Sequence, residues 1–96
     1  MDMWQPFNFQ GEDVMTFRTL DQLMDTPKGT AFRAFKRVLD ELEEGNDHWR
    51  LESGPDAEAI AELKAAGRIY PSSVNVVVLR RAAVEQMEPV LSAGNS

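Results

Sequence analysis

The sequence predicts a small α+β domain in which two helices joined by a tight turn pack on a short antiparallel sheet. Three observations predict it. Apolar residues recur at helical spacing in two successive segments, 20–25 and 27–44, separated by the break "TPKG". A run of β-branched and apolar residues between Val74 and Leu79 reads as a strand. Ninety-six residues, 43% hydrophobic and 27% charged, are enough for one globule with a modest core.

The elements follow in order. Residues 1–12 set Trp4, Phe7 and Phe9 among polar residues with Pro6 and Gly11, which predicts an extended arm covering a core edge or touching a second subunit. The domain proper is expected over 13–91, with a tail over 92–96. "DVMTFR", 13–18, alternates weakly and predicts a short strand. Thr19 then caps a short helix over about 20–25, carrying Leu20, Leu23 and Met24. Thr26 is a good N-cap and Pro27 suits a first helical position, with Thr30 as an alternative cap. This second helix is expected to run to about Glu44, where Gly45 supplies a left-handed stop. Phe32, Phe35, Val38, Leu39 and Leu42 fall on one stripe and predict its core face.

Residues 46–52 read as a turn and a short strand. Pro55, Asp56 and Glu58 open a third helix that Gly67 ends; its thin stripe, Ile60 and Leu63, makes it peripheral. In the strand 74–79, Val74, Val76 and Val78 point one way and Asn75, Val77 and Leu79 the other. Both faces are largely apolar, which predicts a central strand or one covered by a partner, and Asn75 must then find hydrogen-bond partners. "RRAAVEQMEPVL" closes the domain as a helix with Val84, Met87 and Leu91 on one side, bent or ended by Pro89.

Few patterns carry chemistry. The chain has no cysteine, and a single histidine, His48, argues against a zinc site. The nucleophile-elbow, phosphate-loop, metalloprotease and EF-hand patterns are all missing, so neither an enzyme nor a cofactor is expected. His48 reads as a turn histidine beside Trp49, and Glu41, Glu43 and Glu44 as a solvated helix face. No apolar run approaches the roughly 20 residues of a membrane span, and "MDMWQPFNFQ" lacks the features of a signal peptide, so the expectation is a cytoplasmic protein. The net charge of -6 means that nucleic acid can be met only through a segregated basic patch.

One stretch is a candidate for such a patch. In "PKGTAFRAFKRVLDELEEGNDHWRL", Lys28, Arg33, Lys36 and Arg37 come first and Asp40, Glu41, Glu43, Glu44 and Asp47 follow, the reverse of what a helix dipole favours. On a helical wheel with Phe32 at 0°, the apolar stripe centres near about 300°, and Lys36, Arg33 and Arg37 fall at about 40°, 100° and 140°. Two accounts of these cations stand open. They meet an external anion, as the first residues of a recognition helix do, or Lys36–Asp40 and Arg37–Glu41 pair along the helix at i,i+4.

The stretch "MTFRTLDQLMDTPKGTAFRAFKRVLDELEEGNDHWRL" resembles the N-terminal DNA-binding domains of phage antirepressors, the KilA-N and ORF-N group. The counterparts are Thr19 with Leu23, then "FRAFKR", then "EGNDHWRL", with "GRIYPSSVNVVVL" similar to the closing strand. The resemblance covers about residues 15–79. It implies a winged-helix-like fold, with Lys28, Thr30, Arg33, Lys36 and Arg37 facing DNA, Phe32, Phe35 and Leu39 in the core, and Gly45 and Asp47 shaping the turn. The expected function is a small DNA-binding transcriptional regulator of phage or mobile-element type. It would dock the N-terminal half of helix 27–44 on duplex DNA, as a homodimer through strand 74–79 or the aromatic arm. The alternative is an acidic module, a phage-type inhibitor or DNA mimic, that binds a basic host protein. Its surface would be Glu41, Glu43, Glu44 and Asp47, extended by Glu52, Asp56, Glu58 and Glu62.

Overall fold

The N-terminal residues do not form an extended arm. In the computed structural model, which describes residues 3–72 and 76–94, they fold into a hairpin. Strand β1 (Phe7–Phe9) pairs antiparallel with β2 (Glu12–Val14) in the register Phe7 to Val14. Gln10 and Gly11 lie between them with φ of 52° and 83°, the doubly left-handed turn that matches the twist of a two-residue hairpin. Phe9 and Val14 are buried by it.

The strand expected over 13–18 ends early for a local reason. Thr16 is an N-cap: its side chain accepts from the Thr19 backbone N–H while the Thr19 hydroxyl oxygen accepts from the Thr16 N–H, closing a capping box. Phe17 therefore opens helix α1 (Phe17–Met24) instead of ending a strand. Helix α2 (Thr30–Val38) is also shorter than expected. Pro27 and Lys28 lie in the turn before it, Gly29 is its N-cap with φ 94°, and its end tightens into a single 3-10 turn over Leu39–Glu41. Strand β3 (His48–Leu51), helix α3 (Ala57–Ala65), strand β4 (Val76–Leu79) and helix α4 (Arg81–Gly94) complete the chain. Helix α4 continues through Pro89, so that residue does not end it, and residues 92–94 of the expected tail are helical. The expected order of elements holds from β2 onward, and the α+β class is the observed one.

The two strand pairs are joined. Strands β3 and β4 pair antiparallel in the register His48 to Leu79. Met15 and Leu79 then exchange backbone hydrogen bonds of 2.9 and 2.8 Å, which fasten the first hairpin to β4. Arg80 adds a second tie. Its guanidinium donates to both Glu12 carboxylate oxygens at 2.9–3.0 Å and to the Asn46 carbonyl at 2.8 Å, and it lies 4.9 Å from the Trp49 ring centroid.

The core has two lobes. One lies among the helices, with Leu20, Phe35, Val84, Met87 and Leu91. The other lies among the first hairpin, the β3–β4 pair and α3, with Phe9, Leu51, Ile60, Leu63 and Val78. Strand β4 feeds both although it is not a central strand, since it pairs with β3 alone apart from the single bridge from Leu79 to Met15: Val76 and Val78 enter the second lobe and Leu79 the first. Val74 and Asn75 lie outside the described residues.

The core face of α2 differs from the expected stripe. Ala31, Ala34, Phe35 and Val38 are buried, whereas Phe32 and Leu39 are 45% and 42% exposed. The buried arc centres near about 250° on the wheel, roughly 50° from the stripe read in the sequence. Ala31 and Ala34 share their lobe with Ala83 of α4, and small side chains let two helices approach closely and pack at interior density. Burial on α2 thus follows the small residues that meet α4, and the large Phe32 is turned outward.

Candidate nucleic-acid interface

The turn between α1 and α2 is built around a buried carboxylate. Asp21 on α1 is 2% exposed, and such a group is stable inside a protein only when its oxygens are bonded. Its side chain accepts from the Ala31 N–H at 2.8 Å, from the Gly29 N–H at 3.2 Å and from the Tyr70 hydroxyl. Gly29 has no side chain with which to cap α2, so Asp21 supplies the cap from the neighbouring helix and sets negative charge at the positive end of the α2 dipole. Asp25 ends α1 in the left-handed conformation, φ 54°, and the Thr26 N–H reaches back to the Asp21 carbonyl at 3.0 Å.

Tyr70 holds the turn from the far side of the sequence. Desolvation, then its bond to Asp21 and the charge of that carboxylate, push its hydroxyl up to about 12, against a smaller opposing pull from Arg18. The Arg18 guanidinium and the Lys28 ammonium lie 5.6 and 5.0 Å from the Tyr70 ring centroid. Lys28 also donates to the Ser72 hydroxyl at 3.0 Å, and Arg18 to the Ile69 carbonyl at 2.8 Å. Nothing in the linear pattern singles out Asp21 or Tyr70. The sequence offered Thr26 and Thr30 as caps for this helix, and only the observed start at Gly29, which has no capping side chain, calls for a cap from elsewhere.

The five residues expected to face DNA do not form one patch. Lys28 is held against Tyr70 and Ser72. The Thr30 hydroxyl donates to the Pro27 carbonyl at 2.8 Å, across the turn that leads into α2. Arg33, Lys36 and Arg37 are exposed, and among the described residues none of them forms an ion pair. The i,i+4 pairs Lys36–Asp40 and Arg37–Glu41 are not made, because regular helix stops at Val38 and the geometry that would align them is lost. Arg33 and Arg37 border a hollow with Thr30, Pro27, Val90 and Leu91, whereas Lys28 and Lys36 border a groove on the other side of α2.

The acids divide as well. Asp40, Glu41, Glu43 and Glu44 are exposed, and Glu44 reaches Arg50 only at 4.0 Å. Asp47 is not a surface residue of that set. Its carboxylate accepts from the Glu43 N–H at 3.0 and 3.1 Å and lies 2.8 Å from His48 Nδ1, while its carbonyl accepts from the Arg80 N–H at 2.9 Å. With Gly45 at φ 88°, it organises the turn into β3. His48 is buried there, edge-on to Phe35 at 5.0 Å.

Among the described residues no group of His, Asp and Glu is placed to hold a metal ion, and no helix is long and apolar enough to cross a membrane. Comparison with family models, with curated proteins and with solved structures finds no match.

Proposed function

We propose that this chain is a cytoplasmic DNA-binding module, a small regulator of phage or mobile-element type, that sets the outward arc of α2 on duplex DNA. One observation carries the reading: Arg33, Lys36 and Arg37 stand exposed and free of ion pairs, among the described residues, on the second helix of a helix pair. A chain of net charge -6 can meet phosphates only where cations are segregated in this way. Asp21 and Tyr70 support it further, because they fix the start of α2 and so the direction in which those cations project. The resemblance to antirepressor N-terminal domains points to the same helix. With about three phosphate contacts, log K should fall against log salt with a slope of about -3.

Lys28 contributes little here, since its ammonium is engaged by Ser72 and Tyr70. Of the two surfaces expected to make a dimer, strand 74–79 and the aromatic N-terminal segment, Phe9, Val76, Val78 and Leu79 are buried in the chain's own core, while Trp4, Phe7 and Val77 are partly buried against it. The test is a gel shift on random duplex DNA at low salt. Wild type should be retarded, Arg33→Glu/Arg37→Glu should not be, and Lys28→Ala should behave as wild type. Absence of retardation at micromolar wild-type protein, or retardation indifferent to the double charge reversal, would sink the proposal.

A second reading keeps one observation in its favour. Asp40, Glu41 and Glu43 are exposed without ion pairs among the described residues, next to a Glu44 whose only such contact is 4.0 Å long. That row of carboxylates suits a basic protein partner. A pull-down from host lysate should then recover a basic protein with wild type and lose it with Glu43→Lys/Glu44→Lys.

A further inference from the structure

Beside α2 lies a groove that shares only Lys36 with the cations of the DNA reading. It encloses about 570 Å³ between α2, the start of α1 and the β3–β4 pair. Its floor is apolar: Phe17, Phe32, Phe35, Leu39 and Val77. The Phe17 ring lies 5.5 Å from Phe32 and 5.2 Å from Phe35, so the three rings form one continuous aromatic surface. A lone exposed apolar side chain needs no explanation, but the two large ones left exposed among the described residues, Phe32 and Leu39, both open onto this hollow.

The charges around it are segregated. Lys28, Lys36 and Arg50 stand at its rim, and among the described residues no carboxylate lines it, in a chain with 16 acidic and 10 basic residues. Lys36 has no ion pair among the described residues, and the contact of Arg50 with Glu44 joins two mostly exposed groups 4.0 Å apart. Cations set along low-dielectric walls concentrate small anions. The volume falls in the range of about 300–1,000 Å³ typical of small-molecule sites.

We infer that this groove binds a small organic anion: an aromatic or short aliphatic body of about ten to fifteen non-hydrogen atoms that ends in a carboxylate. The body lies on the Phe17–Phe32–Phe35 floor and the carboxylate meets Lys36 and Arg50 at the rim. The inference stands whether or not α2 docks on DNA. If it does, the two events compete, because Phe32 and Lys36 belong both to the groove and to the outward side of α2.

The test titrates the full ¹⁵N-labelled chain with naphthalene-2-carboxylate, with decanoate and with the neutral naphthalene-2-carboxamide, in the absence of DNA. Both carboxylates should give saturable shifts at the amides of Phe32, Leu39 and Val77. Naphthalene-2-carboxylate should bind about tenfold more tightly than its amide, the size of one charge-assisted contact at a partly wetted rim. Lys36→Ala/Arg50→Ala should erase that preference. Leu39→Glu, at an exposed position where folding is little affected, should abolish binding of both carboxylates while the rest of the spectrum is kept. Scattered or non-saturating shifts, equal binding of acid and amide, or undiminished carboxylate binding by either variant would overturn the inference.

Discussion

The two ends of α2 are built on opposite terms. At its N-terminus three donors, two of them backbone, converge on the buried carboxylate of Asp21, and a tyrosine from a distant segment closes the site. At its C-terminus the helix tightens into a 3-10 turn, and Leu39, Asp40 and Glu41 all face solvent. The difference teaches where the fold is fixed and where it is left open. Buried polar groups with full sets of partners impose one geometry, because each lost partner leaves a desolvated group behind. The open end has apolar and charged side chains that the fold does not use: Leu39 walls the groove, and Asp40 and Glu41 begin the acidic row.

Substitutions can break or sharpen that contrast. Asp21→Ala should have the largest effect. It removes the cap of α2 and orphans the Gly29 and Ala31 N–H groups and the Tyr70 hydroxyl, for about 3 kcal/mol, read as a lower urea midpoint with unchanged m-value. Asp47→Ala should cost about 1–2 kcal/mol by the same assay, because it releases the Glu43 N–H and the His48 ring. If it cost as much as Asp21→Ala, the rigidity assigned to the N-terminal end would not be special to it.

Tyr70→Phe should cost about 1 kcal/mol at neutral pH, with a distinctive alkaline signature. The folded value is raised to about 12 from an unfolded value near 10, so the fold favours the protonated hydroxyl. Its stabilisation is complete below about pH 10 and is lost as pH rises towards 12. The gap in urea midpoint between wild type and Tyr70→Phe should therefore narrow over that window and stay constant from pH 6 to 9. Tyr70 is the single tyrosine, so an ultraviolet titration of the folded chain reads it directly. A midpoint near 10 would remove Tyr70 from the clamp. The smallest effect belongs to the open end: Leu39→Lys should change stability by less than about 0.5 kcal/mol. A larger loss would mean that Leu39 is packed in solution and that the groove beside it is not free.

The sequence carried the helix pair, the β4 strand and the closing helix, because each rests on local periodicity or on local β-propensity. It misled where a strong local rule met a tertiary preference. Phe32 and Leu39 fit an apolar stripe by spacing, but Ala31 and Ala34 are what α4 accepts, and the rotation this imposes moved both out of the core. The candidate groove was illegible for the same reason, since its floor consists largely of residues assigned to the interior. The clamp of Asp21 and Tyr70 joins positions 49 apart, a pairing that no window of sequence can reveal. The hairpin at 7–14 turns on Gln-Gly instead of the usual Asn-Gly or Asp-Gly, so its turn signal was faint. Of the candidate cations, exposure was legible for Arg33, Lys36 and Arg37, but the internal engagement of Lys28 was not.

The bonds between Met15 and Leu79 bear on portability. Leu79 and the α4 residues Val84, Met87 and Leu91 complete the lobe that contains Leu20 and Phe35, so α1 and α2 lack an inner wall until β4 and α4 are in place. Long-range closure of this kind delays folding until the distant segment arrives. The helix pair is therefore not a transplantable reading head. Residues 17–38 grafted onto another scaffold would carry the cations of α2 without the geometry that aims them.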